Sequence, residues 1–387
     1  MDENAPGGLL RWFGELQDPR PGHNIVHRFS DMLAMAILAV ICGAEGWKDV
    51  VLFSRCKLEW LKTFLHLPRG IPSTDTFRRV FGAIKPEAFE QCFLQWTAHL
   101  AKQKSKLIAI DGKTLRHSFD SASNKAAIHR VSAWCDENHM VLGQLTTDEK
   151  SNEIKAIPEL LNLLDLRGTI VSIDAMGCQK AIAQAIVDGG GDYLLHVKDN
   201  QPALLESVEL LFDEGLRDDC QGVRYATVND VDADHGRLET RTVWTTGDLG
   251  ALNADNEWKN LRTAVRVESI RETAKGTSKQ YQYYIASLRS KSTRNNLADS
   301  TTYSASDMLR LIRRHWGIEN SLHWCLDVQM NEDACRIRAG HAAENFSRLR
   351  RWALNLLKKD MTFKVGLRGK SKACSWDHNY LLKILTS

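Results

Sequence analysis

Residues 169–197, TIVSIDAMGCQKAIAQAIVDGGGDYLLHV, decide the fold that we expect for this chain. Two short apolar runs, residues 169–173 and 193–197, flank a stretch with helical spacing, residues 179–187, which three glycines end. Short apolar runs between turn residues predict buried strands, and the spacing between them predicts a helix. The segment therefore predicts a strand–helix–strand unit of an α/β sheet.

Further strands are predicted on both sides of this unit. Residues 107–110 form another apolar run, and residues 129–135 and 140–145 flank a hairpin turn at residues 136–139. Four later segments are rich in β-branched and aromatic residues, namely residues 225–228, 239–245, 263–270 and 280–287. Strongly helical patterns follow at residues 306–325 and 342–359. Together these patterns predict a mixed sheet with helices on its faces.

The first hundred residues predict helices alone. Helical spacing or capping signals occur at residues 31–40, with Ser30 as N-cap, and at residues 49–64, 73–84 and 86–100. This region is either a DNA-reading unit or a packing domain, and the sequence leaves both open. We expect a helical domain over residues 1–100 and a second domain over residues 101–387, in which residues 203–304 are a β-rich insertion.

Composition narrows the class of protein. Hydrophobic residues make up 43% and charged residues 26% of the 387-residue chain, which excludes a disordered or fibrous protein. Lys and Arg number 51 against 48 Asp and Glu, too even a balance to indicate nucleic-acid binding by itself. The positive charge is concentrated, however, because residues 310–372 hold fourteen Lys or Arg and six Asp or Glu.

Cysteine usage and hydropathy indicate the compartment. The nine cysteines include no Cys-x-x-Cys pair, which argues against a disulfide framework or a zinc ribbon and favours reduced thiols. The longest apolar run, residues 32–42, is shorter than the ~20 residues that span a bilayer. We therefore expect a cytoplasmic protein in which this run is a buried helix.

Three carboxylates are the strongest candidates for chemistry. Asp111 and Asp174 each come directly after a predicted buried strand, at the sheet edge where α/β proteins bind ligands. Glu319 lies between His315 and His323 at intervals of four, so that one helix face would carry all three. Such a triad suits two Mg²⁺ ions about 3.5–4 Å apart for phosphodiester chemistry. Turn capping by each Asp, and a glycosidase carboxylate pair, remain open at this point.

The sequence does not match the motifs of several other enzyme classes. Gly112-Lys113-Thr114 resembles the end of a phosphate-binding loop, but Leu107 stands where its first glycine is required. His315 and His323 are eight residues apart, not the four of a zinc protease. The chain has no Gly-x-Ser-x-Gly motif, and no Gly-x-Gly-x-x-Gly follows a strand.

Taken in order, the motifs resemble those of the insertion-sequence DDE transposases, in the branch that includes the H-repeat-associated proteins. The first-Asp and second-Asp motifs match at residues 108–116 and 174–179. Similar segments continue through nearly the whole chain, at residues 19–96, 149–161, 193–201, 315–327, 331–333, 336–338 and 376–385.

The resemblance implies a ribonuclease-H-like fold with a β-rich insertion before the catalytic Glu helix. It implies that Asp111, Asp174 and Glu319 bind two Mg²⁺ or Mn²⁺ ions and cut DNA at the terminal inverted repeats of a mobile element. Strand transfer into target DNA would follow, by a homodimer assembled on double-stranded DNA in the cytoplasm, associated with the nucleoid. A catalytically inactive or domesticated DNA-binding protein, and a metal-dependent nuclease without strand transfer, are the alternatives.

The basic residues around the triad are the expected DNA contacts. Related transposases carry Tyr-x2-Arg-x3-Glu-x6-Lys on the Glu helix, and Ile312, His315, Glu319 and Leu326 occupy those positions here. Only the Glu matches, so His315 is expected to replace the Arg, and Lys198 or Arg314 to supply the basic partner. The full set of expected DNA contacts is Lys113, Arg116, Lys198, Arg237, Arg241, Arg314, His315, Arg336 and Arg338. Of Trp316 and Trp324, we expect at least one to be buried.

Overall fold

The computed structural model describes residues 9–22, 25–100, 106–114, 128–147, 153–217, 225–234, 237–250, 252–253, 256–291 and 302–386. Its α-helices are α1 Phe29–Ile41, α2 Trp47–Cys56, α3 Leu58–Leu61, α4 Thr74–Ala83, α5 Pro86–Leu100, α6 Glu153–Asn162, α7 Lys180–Asp188, α8 Pro202–Arg217, α9 Ala305–His315, α10 Ala342–Lys359, α11 Leu367–Trp376 and α12 His378–Thr386. Its strands are β1 Leu107–Thr114, β2 His129–Cys135, β3 Met140–Thr147, β4 Ile170–Ile173, β5 Asp192–Val197, β6 Ala226–Asp234, β7 Arg237–Thr246, β8 Thr263–Thr273, β9 Gly276–Ala286, β10 Arg289–Ser290 and β11 Thr302–Tyr303.

The chain divides into two compact units. The first, called here the sheet unit, consists of Lys104–Asp111 and Glu153–Ile318. The second, called here the helical unit, consists of Met1–Gln103, Gly112–Asn152 and Glu319–Ser387. Strand β1 begins in the sheet unit, and its last three residues belong to the helical unit.

The sheet unit is built on a large mixed sheet, which confirms the predicted α/β class. Strands β1, β4 and β5 are parallel neighbours, and β9 pairs antiparallel with β5. An antiparallel series β9-β8-β7-β6 extends the sheet from there. Buried Leu309 and Ile312 of α9 join Val243 and Val265 of the sheet in one hydrophobic core, so apolar burial fixes this helix against the sheet.

The helical unit joins the N-terminal helices to the later helix α10. Trp352 of α10 stacks on Trp96 of α5, with ring centroids 4.6 Å apart. The side chain of Asn355 also pairs with the backbone of Val141 in β3, accepting from its N–H and donating to its carbonyl at 2.9 Å each. Satisfying these buried polar groups ties the hairpin to α10. This packing gathers segments from both predicted domains into one unit.

Several element boundaries differ from those predicted. Helix α1 begins at Phe29, so that Arg28, and not Ser30, is its N-cap. The helix predicted at residues 49–64 is two helices, α2 and α3, and the insertion predicted as β-rich opens with the 16-residue helix α8. Trp316 and Trp324 are 42% and 50% exposed, so the expectation that one of them is buried was wrong. Among the described helices, none is long and apolar enough to cross a membrane.

Candidate active site

Asp111 and Asp174 occupy matching positions on neighbouring parallel strands. Ile110 of β1 pairs with Ile173 of β4, and the two aspartates are the next residues of their chains. Neighbouring strands lie about 4.8 Å apart, so both carboxylates belong to one edge of the sheet. One detail of the prediction was wrong: Asp111 lies within β1, which continues to Thr114, and does not follow its end.

The backbone after β4 holds Asp174 in a tight turn. Its Oδ1 accepts a hydrogen bond of 3.2 Å from the N–H of Met176, and Asp174 is the N-cap of the 3₁₀ turn Ala175–Gly177. A Cβ on Gly177 would lie 2.2 Å from Cγ2 of Ile173, so the turn needs glycine there for lack of space. Turn capping, which the sequence left open as an alternative role for Asp174, is therefore present. The same hydrogen bond also fixes the direction of the carboxylate.

Two side chains from the segment after β5 fasten the same turn. Asn200 donates to the carbonyl of Ala175 at 2.6 Å, and Gln201 donates to the carbonyl of Cys178 at 2.9 Å. These amides satisfy carbonyls of a short turn that has few partners of its own. The sequence placed both residues in a segment that matches the family but predicted no role for them. Their position just after a buried strand was the feature that could have indicated one.

The electrostatics of the aspartate pair favour a bound cation. Burial, followed by the negative charges of Asp111 and Glu153, raises the pKa of Asp174 to about 6. Glu153 is itself buried and opens helix α6 in the sheet unit. Like charges at close range disfavour ionisation, and a divalent cation beside the pair would relieve that repulsion.

The donor set suits Mg²⁺, although it is sparse. Within the described residues, no group of three or more His, Cys, Asp and Glu side chains is arranged to hold a metal ion. Mg²⁺ is typically bound by one or two carboxylates, with waters and substrate phosphates completing its octahedron. The neighbouring carboxylates of Asp111 and Asp174 fit that pattern.

Glu319 lies in the helical unit, at the start of a π-helical segment. Helix α9 ends at His315, and two π-helical stretches follow, Glu319–His323 and Cys325–Gln329. The carboxylate residue is exposed, whereas His323 is buried. The exposure of the three residues does not match the predicted shared face, because His315 and His323 are buried whereas Glu319 is exposed. Such π-turns frequently occur at functional positions.

His315 is buried in the sheet unit and is 8% exposed. Its Nδ1 lies 2.9 Å from the hydroxyl of Ser172 on β4. Burial lowers the pKa of His315, although the charge of Asp111 acts in the opposite direction. The imidazole therefore packs behind the strand that carries Asp174, in a place that favours its neutral form.

Lys198 lies at the same sheet edge as the aspartates. Strand β5 runs parallel to β4, with Ile173 opposite Leu195, and Lys198 is the first residue beyond β5. The residue is exposed. Of the expected DNA contacts, Lys113 on β1 and Lys198 after β5 belong to the two strands that neighbour β4.

The other expected DNA contacts occupy varied surroundings. Lys113 forms an ion pair with Asp327, and Arg241 pairs with Glu239 at 2.7 Å. Arg336 is exposed, and Arg314 and Arg338 are partly exposed. Arg116 lies outside the described residues, and of Arg237 the structure describes the backbone, at the start of β7.

Part of the concentrated positive charge at residues 310–372 is internal. Arg348 and Arg351 of α10 are buried, the first bonded to Glu90 at 2.8 Å and the second 3.5 Å from Glu332. Buried charges of this kind are retained because they are paired. The count of basic residues in this stretch therefore overstates the charge that is available to DNA.

Comparisons with known proteins agree with the motif order. The family described as "Transposase DDE domain" matches residues 102–356, and the one described as "DDE_Tnp_1-associated" matches residues 10–97. The "H repeat-associated putative transposase YhhI" of Escherichia coli strain K12 is 42% identical over 384 residues, which cover 97% of each chain. The "Putative transposase YncI" of Escherichia coli O157:H7 is 41% identical over 98% of this chain and 94% of its own.

Two further comparisons are more limited. The "Inactive transposase YbfQ" of Escherichia coli strain K12 is 44% identical over 72 residues, which are 19% of this chain and 86% of that protein. The solved piggyBac transposase synaptic complex with hairpin DNA aligns with 99% of this chain and 78% of its own at a TM-score of 0.41 and 10% identity, a likeness too low to establish a shared fold. From the family matches and the full-length relatives, the protein belongs to the family of transposases with a DDE domain.

Proposed function

We propose that this protein cuts DNA at the terminal inverted repeats of a mobile element and joins the freed ends to target DNA. The observation that carries the proposal is the parallel register of β1 and β4, which makes Asp111 and Asp174 neighbours at one sheet edge. Family membership supports the same chemistry. Under this proposal the sheet is the core of a ribonuclease-H-like fold, and the protein works in the cytoplasm on the DNA of the nucleoid.

Two divalent ions, Mg²⁺ or Mn²⁺, are proposed to be held by Asp111, Asp174 and Glu319. When bound, such ions activate a water or a 3′ hydroxyl and stabilise the leaving oxygen of a phosphodiester. The turn around Asp174 presents its carboxylate in a fixed direction, because Oδ1 accepts a hydrogen bond from the N–H of Met176. The protein thus contributes positioning and electrostatic preorganisation, without a covalent intermediate.

DNA is proposed to approach the carboxyl edge of β1, β4 and β5. Lys198 would meet a phosphate there, since it is exposed and next to the strand that precedes Asp174. The remaining proposed contacts are Arg116, Arg237, Arg241, Arg314, Arg336 and Arg338. Lys113 and His315 were also expected from the sequence, but they are left out of the proposal because Lys113 is paired with Asp327 and His315 is buried. Since a transposase must hold two element ends, we propose a homodimer assembled on DNA.

Replacing Asp174 with Asn tests the proposal. Asn keeps the side-chain oxygen that caps the turn and removes the charge, so DNA binding should persist while metal-dependent nicking of end DNA falls at least ~10³-fold. Asp188→Asn is the matched control, because Asp188 is exposed on the neighbouring helix α7 and accepts a bond from Gln184. Full nicking by Asp174→Asn would contradict the proposed role.

A DNA-binding protein without catalysis is the second candidate. It is favoured by one finding, the similarity to a relative named as an inactive transposase. Binding of terminal-repeat DNA without cutting in Mg²⁺ or Mn²⁺ would support it. A strand-transfer assay with a pre-cut end separates the proposed transposase from a nuclease that cuts and does not join.

A further inference from the structure

Lys113 is surrounded by carboxylates of the helical unit. Its Nζ pairs with Oδ1 of Asp327, and it lies 4.0 Å from Oε2 of Glu332 and 3.9 Å from Oδ1 of Asp333. Only 14% of the lysine side chain is exposed. These contacts are unexpected for a residue that the sequence suggested as a DNA contact.

The lysine belongs to a larger buried network, called here the Lys113 cluster. The side chain of Glu332 is fully buried, 3.2 Å from Arg130 and 3.5 Å from Arg351. Burial alone would raise the pKa of Glu332, but Arg351, Arg130 and Lys113 together hold it well below its usual range. Among the described residues, the cluster includes Lys113, Arg130, Arg351, Asp327, Glu332 and Asp333.

The three carboxylates around Lys113 limit what its ammonium can do. A phosphate could recruit the ammonium only by drawing it away from Asp327 and Glu332. Withdrawing the ammonium would remove one of the cations beside the fully buried carboxylate of Glu332, and a buried charge that loses its partners is unfavourable. The positive charge of Lys113 is therefore used inside the protein.

The cluster also connects two segments that carry proposed catalytic groups. Lys113 comes two residues after Asp111 on strand β1. Asp327 lies in the second π-helical stretch, eight residues after Glu319. A π-helix is rare and makes only short segments, and contacts from outside add to what holds such a segment in place. The ion pair at Asp327 supplies such a contact from β1.

We propose that Lys113 is a positioning residue for the reaction, fastening the π-helical segment after Glu319 to the strand that carries Asp111, and that it does not contact DNA. The proposal rests on the proposed function, since Asp111 and Glu319 are taken from it. It accounts for a lysine two residues after Asp111 on β1 without assigning it to a phosphate.

The salt dependence of DNA binding tests whether Lys113 contacts a DNA phosphate. Each phosphate contact that is lost reduces the slope of log K against log salt by about 0.9. Lys113→Met should leave the slope for terminal-repeat DNA unchanged, whereas Lys198→Met should reduce it by about 0.9. Lys62→Met, at a 45% exposed lysine of the helical unit, is the neutral control. A reduction of about 0.9 in Lys113→Met would overturn the proposal.

A double-mutant cycle tests whether Lys113 positions the π-helical segment through its ion pair with Asp327. At saturating DNA, Lys113→Met and Asp327→Asn should each slow nicking about 100-fold, and the double variant should be no slower than either one, because both remove the same contact. Lys113→Arg should keep most of the rate. The exchange of Lys113→Asp with Asp327→Lys should recover at least about tenfold over Lys113→Asp alone. Independent, multiplicative losses would overturn the proposal.

Unfolding and DNA-binding measurements separate this proposal from the proposed function. If the wild-type protein cuts no DNA, the proposed function fails, while the salt slopes still decide whether Lys113 contacts phosphate. The same cycle measured by urea unfolding should also be non-additive in that case. If Lys113→Met and Asp327→Asn do not fold, Lys113→Arg and the charge-exchange variant still decide the question. The ion pair is supported if both of these variants fold and show the wild-type salt slope, and it is refuted if neither does.

Discussion

The charge of Asp174 should destabilise the protein in the absence of a divalent ion. Burial and the charges of Asp111 and Glu153 raise its pKa to about 6, from a reference value of 3.8. Because the folded state binds the proton more tightly than the unfolded state does, stability falls as the pH rises from about 4 to about 6. The difference of about two pKa units corresponds to roughly 3 kcal/mol above pH 6.

Asp174→Asn removes this charge and keeps the oxygen that caps the turn. Its free energy of unfolding should therefore exceed that of the wild type by roughly 1–3 kcal/mol at pH 8, and the difference should shrink toward pH 4 and disappear below about pH 3, where Asp174 is protonated in both states. Urea denaturation in EDTA between pH 4 and pH 8 measures the difference directly. Taking the difference between the two proteins cancels the effects of titrating groups that do not interact with Asp174.

Two additions make the assay decisive. Asp188→Asn, at an exposed position, is the matched control. Mg²⁺ should stabilise the wild type and leave Asp174→Asn nearly unaffected, because ligand binding to the folded state raises its stability. A difference between wild type and Asp174→Asn that stays constant from pH 4 to pH 8, or that favours the wild type at pH 8, would refute this reasoning.

Three other substitutions probe the surroundings of the site. Asn200→Ala removes the bond to the turn after β4 and should slow nicking about 10–100-fold with end binding intact in gel-shift titrations; an unchanged rate would argue against positioning by this amide. Glu332→Gln leaves two buried arginines without their carboxylate, and urea unfolding should show that the free energy of unfolding falls by about 3–5 kcal/mol. Because the pKa of Glu332 is lowered in the folded protein, its contribution to stability is fully present above about pH 4.5 and falls at lower pH. Gly177→Ala places a Cβ 2.2 Å from Ile173 and should lower the melting temperature and the nicking rate together, whereas a wild-type melting temperature would show that the turn can adapt.

Patterns local to a few residues predicted much of the fold. The apolar runs of the strand–helix–strand unit became β4, α7 and β5 with boundaries shifted by about one residue. The α10 helix spans residues 342–359, as its spacing predicted. These elements were predictable because burial of a regular apolar pattern determines both their type and their length.

Features that depend on distant residues were not predictable in the same way. The π-helical stretches after α9 have apolar spacing close to that of an α-helix, so residues 306–325 predicted a single helix. Lys113 looked like a phosphate contact because the residues that surround it, Asp327, Glu332 and Asp333, are more than 200 positions later. The arginines of α10 likewise counted as surface charge until their buried partners were known. Side-chain pairing over such distances leaves no signal in local spacing.

The most direct test of the account is the cleavage of labelled DNA that carries the element's own terminal repeats, read from the sequence flanking the coding region. Wild-type protein should cut at those ends in Mg²⁺ or Mn²⁺ and not in EDTA, and Asp111→Ala should bind the same DNA without cutting it. Binding of the ends by wild type with no cutting in either metal, or metal-dependent cutting that survives in Asp111→Ala, would contradict the account.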